Sequence, residues 1–171
     1  RSNQIADAAT VTVRGGAQWS LGGFSEAITR LVFESQGGSN APFGPNVQTG
    51  AGVLSLLSGG SLIAQNLDNP SVVPVLYGNL ALPASTALVV GAVRGSAMGG
   101  INQQAGLALN AMLLNSGLIT KTGPGAVSLG GTAYAPVTLN VNEGEVLLGA
   151  GANYARMQIN LAAGSVLDMR G

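Results

Sequence analysis

Residues 139–149 read LNVNEGEVLLG, and residues 159–169 read INLAAGSVLDM. At an offset of 20, Asn140 meets Asn160, Gly144 meets Gly164, Val146 meets Val166 and Leu147 meets Leu167. Each stretch is a short strand, a glycine turn and a second short strand. Thr138-Leu139-Asn140-Val141 puts apolar residues on one face and Thr or Asn on the other, the period-2 pattern of a half-buried strand. VTVRGGAQWSLGG at 11–23 and LSLLSGGSLIA at 54–64 follow the same grammar. A repeat of about twenty residues made of short strands and glycine corners suits one coil of a β-solenoid. One coil cannot bury its own apolar face. Stacked coils pair backbones at roughly 4.8 Å and bury a continuous column of Val, Leu and Ile. The chain of 171 residues is therefore read as one all-β segment, a parallel β-helix of about eight coils over 1–171. Val11, Val13, Leu139, Val141, Ile159 and Leu161 should point inward in register.

A second phrase returns at longer range. TGAGVLSL at 49–56 recurs as TGPGAVSL at 122–129, an offset of 73. Twice that is close to the offset of 148 that lays INLAAGSVLDMRG (159–171) on VTVRGGAQWSLGG (11–23) and puts Trp19 on Leu167. The expectation is a long unit that finishes where it began, with no polar cap at either end. Open strand edges recruit further strands. The expected partners are thus other copies, or neighbouring repeats of the same protein, stacked end to end. A β-sandwich would show the same short strands but has no reason to repeat. INQQAGLALNAMLLNSG at 101–117 holds good helix formers, yet Leu107 to Leu114 reads as strand.

Composition narrows the function. Only 8% of residues are charged against 46% hydrophobic, and seven basic residues balance seven acidic ones. Nucleic-acid binding would need a basic stripe. The longest clean apolar run, Ala87 to Val93, falls far short of the roughly 20 residues of a membrane-spanning helix. The chain has no Cys and no His, which removes disulfides, zinc-thiolate sites and a serine-triad base. It begins at Arg1 without Met or signal sequence, which points to a piece of a longer polypeptide.

GLITKTGPGAVSLGGTAYAPVTLNVNEGEVLLG at 117–149 resembles the autotransporter-associated β-strand repeat, with Lys121, Thr122, Gly123, Gly125, Leu129 and Gly144 on its pattern. NQIADAATVTVRGGAQWSLGGFSEAI at 3–28 is similar to the stretch that often follows such a repeat, and YGNLAL at 77–82 to its middle part. The resemblance implies a secreted, surface-displayed, right-handed β-helix in a large repetitive bacterial protein, serving as a passenger stalk or adhesin. The sequence departs from the pattern at Pro124 and in ESQGGSNAPFGPNVQ at 34–48, a candidate loop or insertion.

Chemistry is sparse. Parallel β-helices also host polysaccharide-cleaving enzymes, whose sites need clustered carboxylates. The one tight acidic pair is Glu143 and Glu145 around Gly144, read as two solvated charges at a turn. Asp168 aligns with Leu148 and has no evident acidic partner. Lys121-Thr122 precedes Gly123 instead of following a glycine run, so it is a repeat turn and not a phosphate loop. Trp19 reads as core, while Tyr77, Tyr134 and Tyr154 are scattered candidates for sugar stacking. No catalytic, cofactor or metal residue is assigned. The expected role is a structural or interaction module at the bacterial surface: stalk, adhesin or self-assembling fibre. The alternative is a carbohydrate-active or carbohydrate-binding β-helix, and cell-surface or matrix polysaccharide is a candidate partner.

Overall fold

The computed structural model describes residues 1–35, 44–94, 97–98, 101–102, 104–149 and 151–170. Among them no helix occurs. The strands are β1 (Thr10–Arg14), β2 (Gln18–Ser20), β3 (Glu26–Glu34), β4 (Asn46–Gln65), β5 (Val75–Ala81), β6 (Ser85–Val90), β7 (Ala97–Met98), β8 (Ile101–Asn102), β9 (Ala105–Leu113), β10 (Gly117–Thr122), β11 (Ala126–Leu129), β12 (Thr132–Ala133), β13 (Val137–Val141), β14 (Glu145–Gly149), β15 (Met157–Leu161) and β16 (Val166–Arg170). All but the antiparallel β7–β8 pair join one parallel sheet that folds round into a solenoid-like shape. The ambiguous stretch is strand β9, because Leu107, Leu109, Ala111 and Leu113 alternate inward.

Three columns of stacked segments emerge from the pairing. The first runs through β1, the end of β3, the end of β4, β6, β10, β13 and β15. Thr10, Arg30, Ser61, Ala87, Thr120, Asn140 and Asn160 lie in one line of register there, so successive passes take 20, 31, 26, 33, 20 and 20 residues. The second column is β2, the start of β4, β5, β9, β11, β14 and β16. The third joins the start of β3, the middle of β4, the ends of β5 and β9, and β12.

The offset of 20 holds in the first column, where Leu139 pairs with Ile159 and Val141 with Leu161. It fails in the second, where Val146 pairs with Leu167 and Leu147 with Asp168. The turn 162–165 is one residue longer than 142–144. A one-residue step swaps faces, so Leu167 follows Val146, and Asp168 lies beside Leu147 rather than Leu148. The offset of 148 is two short. Register carries Trp19 through Val47, Leu76, Leu109, Leu129 and Leu148 to Met169, not to Leu167. Val11 likewise leads to Val141 and Leu161, not to Leu139. A slip of two keeps the face, which is why the inward assignments survive it. Val13, Leu139 and Val141 are buried, Val11 and Ile159 are half-buried against the core, and only Leu161, at the last level, is exposed.

The phrase TG-x-G is not a register mark. TGAG at 49–52 turns the chain from the second column to the third, against Gly23 and Phe24. TGPG at 122–125 turns it from the first to the second, against Val90 and Gly91. The offset of 73 therefore joins two different corners. The shared chemistry is local. Gly50 and Gly123 sit at φ 63° and 82°, and a Cβ on Gly52 or Gly125 would lie 1.9 Å from a carbonyl oxygen of the level beside it.

The expectation of an uncapped start is also revised. Residues 2–9 lie along the edge of β3: Asn3 N donates to Ser25 O, Arg30 N to Ala9 O and Thr29 Oγ1 to Asp7 O. Glu26 takes the register position of Leu54, is buried, and accepts the Gln4 and Ile5 amides at 3.0 and 3.1 Å. A carboxylate placed there satisfies donors that a leucine would leave bare.

Inside, the columns of Leu, Val and Ile meet in one core. Leu76 is fully buried between Val47 and Leu109. Leu76→Ala is expected to cost about 2–5 kcal/mol, because parallel ladders fix both neighbours and leave the cavity unfilled. Chemical denaturation measures it; a loss under about 1 kcal/mol would mean that the column collapses around the gap.

Candidate functional site

The acidic pair around Gly144 does not behave as a pair of solvated charges. Glu143 is exposed, and its Oε2 accepts the Gly123 amide at 3.0 Å. Glu145 is buried in register with Ala126. Between these two residues the chain turns at Gly144, φ 77°, whose missing side chain leaves room for the ammonium of Lys121: a Cβ there would stand 2.8 Å from Nζ.

Lys121 is the unexpected residue. It is 0% exposed and occupies the inner line of the first column, between Leu88 and Val141. Its Nζ donates to Gly123 O at 2.9 Å and to Glu143 O at 2.8 Å, two corner carbonyls. Burial lowers its pKa to about 8, against the opposing pull of the Glu143 and Glu145 carboxylates. The signal was present in the sequence. At the offset of 20, Lys121 falls on Val141, and Ile119-Thr120-Lys121 alternates like its neighbours. The arrangement makes a charged tie between two adjacent corners, enclosed by protein. Among the described residues no three acidic side chains gather as they would to hold a metal ion.

The candidate loop 34–48 is shorter than expected. Glu34 belongs to β3 and 46–48 to β4, while residues 36–43 lie outside the described residues. Glu34 is buried and gathers donors from three segments: the Gln65 amide at 2.9 Å, the Arg14 guanidinium, and the Asn66 amide at 3.1 Å. Those hydrogen bonds, with the Gln65 amide foremost, hold its carboxyl below the usual carboxylate range despite burial.

The aromatic residues separate. Trp19 is half-buried against the core. Tyr154 is also packed inward; its hydroxyl accepts from Gly131 N at 3.0 Å and donates to Leu109 O at 3.4 Å, and burial raises its pKa to about 12. Tyr134 is exposed on the third column. Tyr77 is 42% exposed on the outer face of the second column, in register with Gln48, and it borders an open groove of about 590 Å³.

Comparisons with known proteins add no relative: no family model, no curated protein and no solved structure matches this chain.

Proposed function

We propose that this chain is a length of right-handed parallel β-helix, about eight coils, forming a stalk, adhesin or fibre of an extracellular repetitive bacterial protein. Right-handed winding follows the rule that governs parallel crossovers. The passes of 20 residues fall within the segment that resembles the autotransporter-associated repeat, and that resemblance supports secretion and surface display.

The observation that carries the reading is the state of the inner columns at the last level. Leu161 and Met169 are 46% and 74% exposed, in the lines where Val141 and Leu148 are buried or half-buried. Another level would bury them. On the outer face the Asn160 side chain already donates to Asn140 Oδ1 at 2.8 Å, a ladder that a further level can continue. The next level is either more of the same polypeptide or a second copy stacked end to end.

Sedimentation and electron microscopy of this segment across a concentration series test the proposal. Rods that lengthen with concentration, and that are blocked by Leu161→Lys with Met169→Lys, are the expected result. A compact monomer at every concentration, unaltered by the lysines, would reject end-to-end assembly.

A further inference from the structure

The groove beside Tyr77 is placed where the chain invests its extra length. At the corner between the first and second columns, the strands are separated by 3, 11, 9, 14, 3, 3 and 4 residues in successive passes. A solenoid-like stack needs only the short form, as the last three passes show. The surplus sits at one corner in three consecutive passes, and loops carried on a rigid scaffold are where binding residues concentrate. Two of these loops press together beside the groove: a Cβ on Gly44 would lie 2.6 Å from Val73 O.

The lining is specific in its chemistry. Asn46 and Gln48 of β4 and Val75 and Tyr77 of β5 are register neighbours on the outer face, with Ser71 and Val73 from the adjoining loop. No charged side chain lines it. The Asn46 amide is barely used: its Oδ1 is buried without a hydrogen-bond partner, and its Nδ2 reaches only Gly44 O at 3.5 Å. A buried amide oxygen without a donor costs free energy that an incoming hydroxyl would recover once the side chain turns toward it.

We propose that this groove binds a neutral glycan, with a pyranose ring against Tyr77 and its hydroxyls on the amides of Asn46 and Gln48. The absence of charge argues against an anionic ligand. A peptide added as a strand needs a free backbone edge, and here β4 and β5 are paired on both sides along the second column. A sugar needs what is present: one aromatic face, neighbouring amide groups and a shallow apolar floor. The groove volume lies within the usual range for ligand sites, about 300–1,000 Å³. The proposal goes beyond the rod reading and needs only β4 and β5, so either can fail without the other.

Calorimetric titration of the full chain with neutral linear hexasaccharides of glucose, mannose and galactose tests it, alongside an alginate hexasaccharide and an uncharged octapeptide. At least one neutral hexasaccharide is expected to bind. Tyr77→Ala and Gln48→Ala should each weaken it by about tenfold or more, with the melting temperature unchanged, while Tyr134→Ala leaves it intact. No neutral hexasaccharide binding at millimolar concentration, binding that survives both substitutions, or preference for the alginate or the peptide would overturn the proposal.

Discussion

Gly125→Ala is expected to destabilise the protein by about 3 kcal/mol, the largest effect of any single methyl group added to this fold. The added Cβ would lie 1.9 Å from Gly91 O, which is backbone held in its own ladder and cannot rotate away. Gly164→Ala is the matched control. Gly164 has φ 83° and nothing within 4 Å of the added carbon, so that substitution carries only the left-handed backbone cost of about 1–2 kcal/mol. Urea unfolding of both variants separates space from conformation. If Gly164→Ala proved the more damaging, the close approach of adjacent corners would not be what selects glycine at 125.

The second large effect is an alkaline stability maximum. Lys121 has a folded pKa of about 8 against an ordinary 10.5. Between those values the unfolded chain binds the extra proton, so stability rises with pH, at no more than about 1.4 kcal/mol per pH unit. Tyr154 works in the opposite sense: its pKa is raised from 10.0 to about 12, so the folded state holds the proton longer and stability falls as pH climbs above 10. Unfolding free energy should therefore peak near pH 10. Lys121→Met should flatten the rising limb, and Tyr154→Phe the falling one. A wild-type curve that is flat from pH 8 to 10 would show that the ammonium is not desolvated by the core.

Much of the fold was legible because period-2 alternation names a face without needing a register. Val13, Leu139 and Val141 were readable as inward from the residues beside them. Register was harder, since it depends on corner length. Four residues at 162–165 against three at 142–144 were enough to move Asp168 from Leu148 to Leu147. The repeated TG-x-G phrase misled for a related reason: it reports how close a neighbouring backbone comes, and two different corners pose the same demand. Glu145 and Lys121 looked like surface charges because their burial depends on neighbours 20 or more residues away: Ala126 is no nearer than the adjoining pass, and Leu88 lies a full long pass before the lysine. The groove could not be read at all, because Gln48 and Tyr77 become neighbours only through the pairing of β4 with β5.

The uneven first corner also sets the rules by which this gene can change length. Closing a longer loop there costs only about 0.6 kcal/mol for each doubling of its length. The ladder resumes in register afterwards, as it does after 11, 9 and 14 residues. A foreign epitope spliced between Gly15 and Gly16, or after Pro124, would thus be displayed at the side of an intact stack. Deleting a single residue inside β13 would instead turn every following side chain of that strand to the wrong face. Selection on such a chain would accept in-frame insertions at one corner and purge indels within the strands. Related sequences would then differ far more in length than in the spacing of their inner columns.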